Sequence, residues 1–324
     1  MLGGLLALLS AITFAFSNAI LRRGVLTGTA LQAVAISLPV ALPLFVLAML
    51  FTGGFHRLTA FSWRSLGLLA LAGIIHLGWS RACNYRATKA IGANLVAPVQ
   101  QFSVVITVVL AVLWLGEKLT LLRVVGIVLV FLGPALTLKV APTTKPDGTK
   151  ATFTPNYAEG YLYALLSVVG FGISPILINM ALGAKTLAGG IAGGFVSYVA
   201  ATVVVALSLL VPSQWRSFKK IDAISRKWFV LSGLIVGMSQ MFRYMALAVA
   251  PVSVVSPLQR LSMVFRVYFG WIINPQHEVF GGRVVGGTVI SLLGAVAISI
   301  STDSVLHLLP LPAAVVSALA WHWP

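Results

Sequence analysis

Apolar residues along this chain run almost unbroken for about 20 positions at a time, instead of alternating or recurring every third or fourth place. Ten such runs lie at about 3–21, 30–52, 66–85, 93–115, 119–139, 160–181, 190–211, 229–249, 252–273 and 283–301. Each is long enough to cross a hydrocarbon core of about 30 Å as a helix. Only helices or closed barrels satisfy their backbone groups inside lipid, and barrel strands would alternate. The pattern therefore predicts an all-α integral membrane protein with ten transmembrane helices. Polar positions gather in the turns and in one long stretch, APTTKPDGTKATFTPNYAE at 141–159, whose Pro, Thr, Lys and Gly suit a solvated linker. The segment SQWRSFKKIDAISRKW at 213–228 predicts a short helix lying in the interface. The tail at 303–324 is apolar but broken by Pro310 and Pro312. It predicts an interfacial segment anchored by Trp321 and Trp323, with an eleventh span as the alternative.

The chain is written twice. ALLS at 7–10 returns at 164–167, and GWSRACNYRATKAIGANLVAPVQQFS at 78–103 aligns without a gap on GMSQMFRYMALAVAPVSVVSPLQRLS at 237–262. Gly78 pairs with Gly237, Tyr85 with Tyr244, Pro98 with Pro257, Gln100 with Gln259 and Ser103 with Ser262, and RVVG at 123–126 reappears at 283–286. Five runs per copy is an odd number, so the second copy enters the membrane in the opposite sense. The expected organisation is a first repeat over 1–140, a linker over 141–159, a second and inverted repeat over 160–302, and the tail. Inverted repeats of this kind place solute sites near the bilayer midplane, between the halves.

The segment NLVAPVQQFSVVITVVLAVLWLGEKLTLLRVVGIVLVFLGPAL at 94–136 resembles the EamA type of the drug/metabolite transporter superfamily. The resemblance rests on Pro98, the Gly116–Glu117 turn, and Gly126 with Gly133. The second copy keeps Pro257, Gly286 and Gly294, but its turn reads NPQHEVF, with Glu278 displaced by two residues. Ser17–Asn18 and Ser174–Pro175 resemble the small polar signature of the first helix in each family repeat. The resemblance implies a ten-helix carrier for small metabolites with both termini inside. The basic residues point the other way. Arg57, Arg64, Lys118, Arg123 and Lys185 fall on one side, while Arg22, Arg23, Arg86, Lys89, Arg216, Lys219, Lys220, Arg226 and Lys227 fall on the other, which by the positive-inside rule puts both termini outside.

Polar side chains within the runs carry the candidate chemistry. Gln100, Ser103 and Thr107 share a helix face at spacing i, i+3, i+7, and Gln259, Ser262 and Arg266 repeat it in the second copy. Facing lipid would be costly, so these stripes are expected to line one interior cavity, the alternative being hydrogen bonding between packed helices. The carriage of Pro98 and Pro257 frees backbone carbonyls that face either a ligand or nothing. Arg81, Arg86, Arg243, Arg260 and Arg266 lie in or near the runs, whereas Glu117, Asp147, Glu159, Asp222, Glu278 and Asp303 all fall in predicted turns or at helix ends. Guanidinium groups without acidic partners suit a carboxylate or phosphate, so the expected solute is anionic or zwitterionic. Arg86 and Arg243 have snorkelling to headgroups as an alternative. The substrate-binding set expected from the sequence is Asn18, Arg81, Tyr85, Gln100, Ser103, Thr107, Tyr244, Gln259, Arg260, Ser262 and Arg266. His76 titrates near neutrality, though a lone helical His more often only hydrogen-bonds. GGIAGG at 189–194 predicts close helix contact within the chain, or a seam in a homodimer.

Composition narrows the functions. The 324 residues are 59% hydrophobic and 9% charged, against roughly 25% charged in soluble domains, and the mean hydropathy is +1.01. The net charge of +16 is accounted for by basic loops beside anionic headgroups, not by nucleic acid. The single cysteine, Cys83, excludes an internal disulfide and thiolate metal clusters. No phosphate-binding loop, nucleophile elbow or metal-ligand cluster is present, so neither a cofactor nor catalysis is expected. Proton-driven export of cations needs an intramembrane carboxylate, and none of the runs has one. The reading is a multi-pass carrier in a plasma or inner membrane, working on a small metabolite by exchange or facilitated movement. The alternatives are a lipid flippase, an accessory membrane subunit or, less favoured, a membrane enzyme.

Overall fold

The computed structural model describes residues 2–115, 119–137, 154–182, 186–250, 255, 258–299 and 322–323. Six helical segments are long and apolar enough to cross a membrane: Leu2–Val25 (α1), Ala30–Thr52 (α2), the continuous stretch Trp63–Ile91, Tyr157–Ala181 (α9), Leu187–Ser208 (α10) and Ala223–Val249 (α12). The stretch 63–91 contains α4 (Trp63–Gly73), a π-helical turn at Ile74–Ser80 and α5 (Arg81–Ile91), and α3 (Gly54–Ala60) precedes it. Shorter apolar helices are α8 (Leu121–Thr137) and the last helix, α14 (Gly282–Ser299).

The expected fourth span is two helices, α6 (Ala93–Gln100) and α7 (Phe102–Leu115), broken at Gln101. Gln101 N donates to the Pro98 carbonyl at 3.1 Å, an i→i−3 bond that tightens the turn between the two helices. The second copy breaks one residue past the equivalent place. Leu261 N donates to the Leu258 carbonyl at 3.2 Å, and α13 (Ser262–Ile273) starts there. Broken helices inside a membrane protein survive where they line a cavity. The interfacial helix expected at 213–228 is shorter, α11 over Pro212–Lys219. Asp222 then caps α12, and its carboxyl is pulled down to about 2 by the Ser225 amide and hydroxyl and the Thr27 hydroxyl. The linker ends before Tyr157, where α9 begins behind its cap Asn156. A two-residue strand pair joins Leu119–Thr120 to His322–Trp323. The Gly116–Glu117 turn, Pro257, residues 141–153 and residues 303–321 lie outside the described residues.

Helix pairings come in matched sets across the two copies. The first helix of one copy packs on the third and fourth of the other: α1 on α12 and α13, and α9 on α5 and α7. Likewise α2 packs on α12 as α10 packs on α4, while α2 packs on α10 and α8 on α14. In the last pair Gly126 and Gly294 meet reciprocally. A Cβ on either would come within 2.7 Å of the other's carbonyl oxygen, so only glycine admits this crossing. GGIAGG acts within the chain in the same way: a Cβ on Gly190 would lie 2.6 Å from the Tyr244 carbonyl oxygen of α12. Gly126→Ala and Gly294→Ala are expected to lower stability by about 1–3 kcal/mol each, because backbone cannot rotate aside as a side chain can. Gly67→Ala, with open space around its Cβ, is the control. Thermal unfolding in detergent reads the difference.

Exposed large residues such as Phe51, Trp63, Leu113, Leu210, Ile224 and Trp271 ring the outside, while Arg22, His76, Arg81, Asn84, Gln100, Arg243 and Arg266 are buried. That polarity is the inverse of a soluble core and matches a lipid solvent.

Candidate functional site

Residues at spacing four on one helix share a face, and Ser10, Phe14, Asn18 and Arg22 of α1 have this spacing. They trace a polar line from the centre of the molecule to one end.

At the centre, Ser10, Ala11 and Phe14 form one wall of a cavity. The facing wall of α9 contributes Phe171 and Pro175, so Phe14 and Phe171, each four residues after the repeated ALLS serine, meet across it. The broken fourth segment gives Gln100, Gln101 and Ser103, and the equivalent part of the second copy gives Gln259, Arg260 and Ser262. From α12 come Ser239, Gln240, Arg243 and Leu247, and from the π turn comes His76. No carboxylate is among these lining residues. Arg260 Nη1 donates to Ser103 Oγ at 3.4 Å, while its buried Nε has no partner among the described residues. Arg243 is 7% exposed, and its Nη1 reaches His76 Nε2 at 3.2 Å and Gln240 Oε1 at 3.3 Å. Snorkelling is therefore excluded for Arg243. Arg86, in contrast, is exposed and pairs with Glu159 at 2.7 Å.

One turn along α1 the cavity is closed by a chain of amides. Asn84 Nδ2 donates to Asn18 Oδ1 at 3.5 Å, Gln100 Nε2 to Asn84 Oδ1 at 2.5 Å, and Arg266 Nη1 to Gln100 Oε1 at 2.9 Å. A further turn brings Arg22, whose side chain is fully buried. It donates to the carbonyls of His277, Thr88 and Lys89, and its Nε lies 3.8 Å from Glu278 Oε1. Glu278 in turn accepts from Ala93 N at 2.8 Å and Asn94 N at 3.0 Å, so its charge sits on the N-terminus of α6. Gly92 makes this approach feasible. It holds φ +83, and a Cβ there would lie 2.6 Å from Glu278 Oε2. Burial pushes the Glu278 carboxyl above its ordinary range, and Arg22 with the two amides pulls it back.

The structure thus gathers Gln100, Ser103, Gln259, Arg260 and Ser262 of the expected set on the cavity. Asn18 and Arg266 stand one layer behind, as described. Thr107 does not line it, because the break at Gln101 ends the continuous stripe. Its hydroxyl instead donates to the Ser103 and Gly172 carbonyls. Tyr244 is used in packing, donating to Ser197 Oγ at 2.8 Å. Arg81 donates to the Tyr198 hydroxyl at 3.1 Å and lies over its ring, with Nη1 left without a partner, as is the buried Tyr85 hydroxyl. Glu278 falls in a turn, as expected, yet that turn is folded inward and buries it. Arg22, expected among the basic residues outside the runs, is instead buried, since the end of α5 and the turn holding His277 and Glu278 close over it. Arg243, Gln240, Gln101, Ser10 and Ser239 were not expected in the site. The repeat held the signal for two of them, because Gln240 and Arg243 stand where the first copy has Arg81 and Asn84.

Residues 1–139 match the profile of the EamA-like transporter family. This part of the chain, under half of its length, is similar to that family, which lies within the drug/metabolite transporter superfamily. Proteins of that family are transporters, and the apolar helices of this chain are those of a multi-pass membrane protein. No curated protein matches the chain. Among solved structures 23 chains match. One, a crystal structure described only as that of a protein, superposes with a TM-score of 0.59 at 17% identity, over 91% of this chain and 95% of its own. At that identity the likeness is one of fold and nothing finer.

Proposed function

We propose that this chain carries a small anion, or a zwitterion held by its anionic end, across the membrane by alternating access. Its ten spans would form two inverted five-helix repeats. The observation that carries the solute class is the cavity where Arg243 and Arg260 meet with no carboxylate among the lining residues. A planar guanidinium offers donors matched to a carboxylate or oxyanion. The matched helix pairings support the inverted arrangement, since the first and second helices of each copy pack on equivalent helices of the other. In that arrangement the amide chain and the Arg22–Glu278 pair close the cavity at one end, and they open as the halves rock. Movement runs by exchange or down the solute's gradient.

Counterflow in proteoliposomes tests this with labelled L-lactate, L-glutamate and sulfate, against choline and putrescine as cations. At least one anion is expected to exchange and neither cation. Exchange of a cation alone, or activity only on lipid headgroups, would overturn the reading and favour a drug exporter or a flippase respectively.

A further inference from the structure

We infer that the proposed carrier takes up a proton with its anion, and that His76 is the group that holds it. The inference rests on the anion reading above and adds the co-transported species.

His76 is buried at the cavity wall, and both ring nitrogens are engaged. Arginine has donors and no acceptor, so Nε2 must be accepting from Arg243 Nη1 at 3.2 Å and carries no proton. A neutral imidazole then has its hydrogen on Nδ1, which donates to Ser174 Oγ at 2.7 Å. The charged groups that face the ring are Arg243 from α12 and Arg81 from α5. From α9 come the Ser174 hydroxyl and the Phe171 ring, whose centroid is 4.7 Å away. From α10 comes Tyr198, which accepts from Arg81. With two guanidiniums near and no acid among the cavity-lining residues, the empty site holds His76 neutral.

An anion changes both conditions. Arg243 lines the cavity and holds His76 through the same Nη1 that a ligand would engage. When that nitrogen turns to the anion, Nε2 loses its donor and faces a negative charge. One N–H bond then forms at Nε2 with a proton from the aqueous phase, no other bond changes, and the imidazolium gains a partner in the anion. For a monovalent anion the loaded site has the same net charge as the empty one. On release the anion leaves, Arg243 returns, and the proton departs to that side. Anion and proton binding are therefore coupled and, by linkage, each favours the other. The placement agrees with this role: His76 lies in the π turn Ile74–Ser80, and such turns frequently mark functional sites.

Calorimetric titration of the wild-type protein in two buffers of different ionisation enthalpy counts the protons. With L-lactate, L-glutamate and sulfate as probes, a bound anion is expected to draw about one proton near pH 7. Its Kd should fall about tenfold per pH unit between pH 8 and pH 6. In proteoliposomes an acid-outside gradient should accelerate uptake by the wild type and no longer do so in His76→Gln. Binding without proton uptake, at a Kd independent of pH, would overturn the coupling and leave the anion reading standing. Proton uptake that persists in His76→Gln would remove His76 from the role. Failure of all three probes to bind would overturn both readings.

Discussion

Arg243→Gln and Arg260→Gln are each expected to raise the apparent KM for the transported anion by about 10–150-fold. That range corresponds to the roughly 1.5–3 kcal/mol carried by a hydrogen bond to a charged group. Both residues stand on the cavity, and both keep nitrogen atoms that the protein does not fully occupy. Arg243 spends one Nη on His76 and Gln240, while Arg260 makes one long bond to Ser103 and leaves its Nε without a partner. Gln keeps the length and some of the donors but not the charge, so the loss reports electrostatics more than packing. Arg266→Gln is expected to act more weakly and differently. It touches the cavity only through Gln100 Oε1, so the amide chain loses its end and Gln100 is free to turn. Initial-rate uptake across a concentration series separates the cases. A KM within threefold of wild type for both Arg243→Gln and Arg260→Gln would sink the assignment of the anion to this cavity.

The second large effect is on stability. Glu278→Ala is expected to lower it by about 3–5 kcal/mol, the usual result of removing one member of a buried ion pair. Three terms act together. Arg22 loses its carboxylate, the amides of Ala93 and Asn94 lose their acceptor, and the N-terminus of α6 loses a stabilising negative charge. Glu278→Gln retains an oxygen for one amide and should fall between Ala and wild type. In Arg22→Met/Glu278→Ala the combined loss should be smaller than the sum of the single losses by at least about 1 kcal/mol, because contacting residues do not add. Thermal unfolding in a mild detergent measures the wild type, Glu278→Ala, Glu278→Gln, Arg22→Met and the double variant. Additive losses would mean that the pair does not interact, whatever its distance.

Much of this molecule could be read from hydropathy alone, and the limits have physical causes. The long runs follow from the needs of the backbone in lipid, and among the described residues six of the ten appear as helices long enough to cross a membrane. The helix breaks at Gln101 and Leu261 were invisible, since hydropathy does not register a change from i→i−4 to i→i−3 hydrogen bonding. Those breaks decide which polar residues reach the cavity, so Thr107 left the set. Gln100 with Gln259, and Ser103 with Ser262, were legible because the chain states them twice. Arg22 was misread because two arginines after an apolar run look like a headgroup anchor. Only the fold shows that Glu278, near the other end of the chain, comes to meet it. Arg243 looked close enough to a helix end to snorkel, yet α12 runs several residues beyond it and keeps it inside.

The π turn at Ile74–Ser80 has a consequence for the history of the gene. The matching residues of the second copy, 233–239, lie in uninterrupted α-helix, and Ile235 stands where His76 would be. A π turn holds one more residue than the α-helix around it, so single substitutions do not readily convert one form into the other. Recombination between the two halves, which would otherwise homogenise duplicated segments, would here erase the wide turn and the imidazole in one event. Selection for transport would remove such exchanges. The two copies are therefore expected to drift apart fastest on lipid-facing positions and to be barred from re-merging across this one turn.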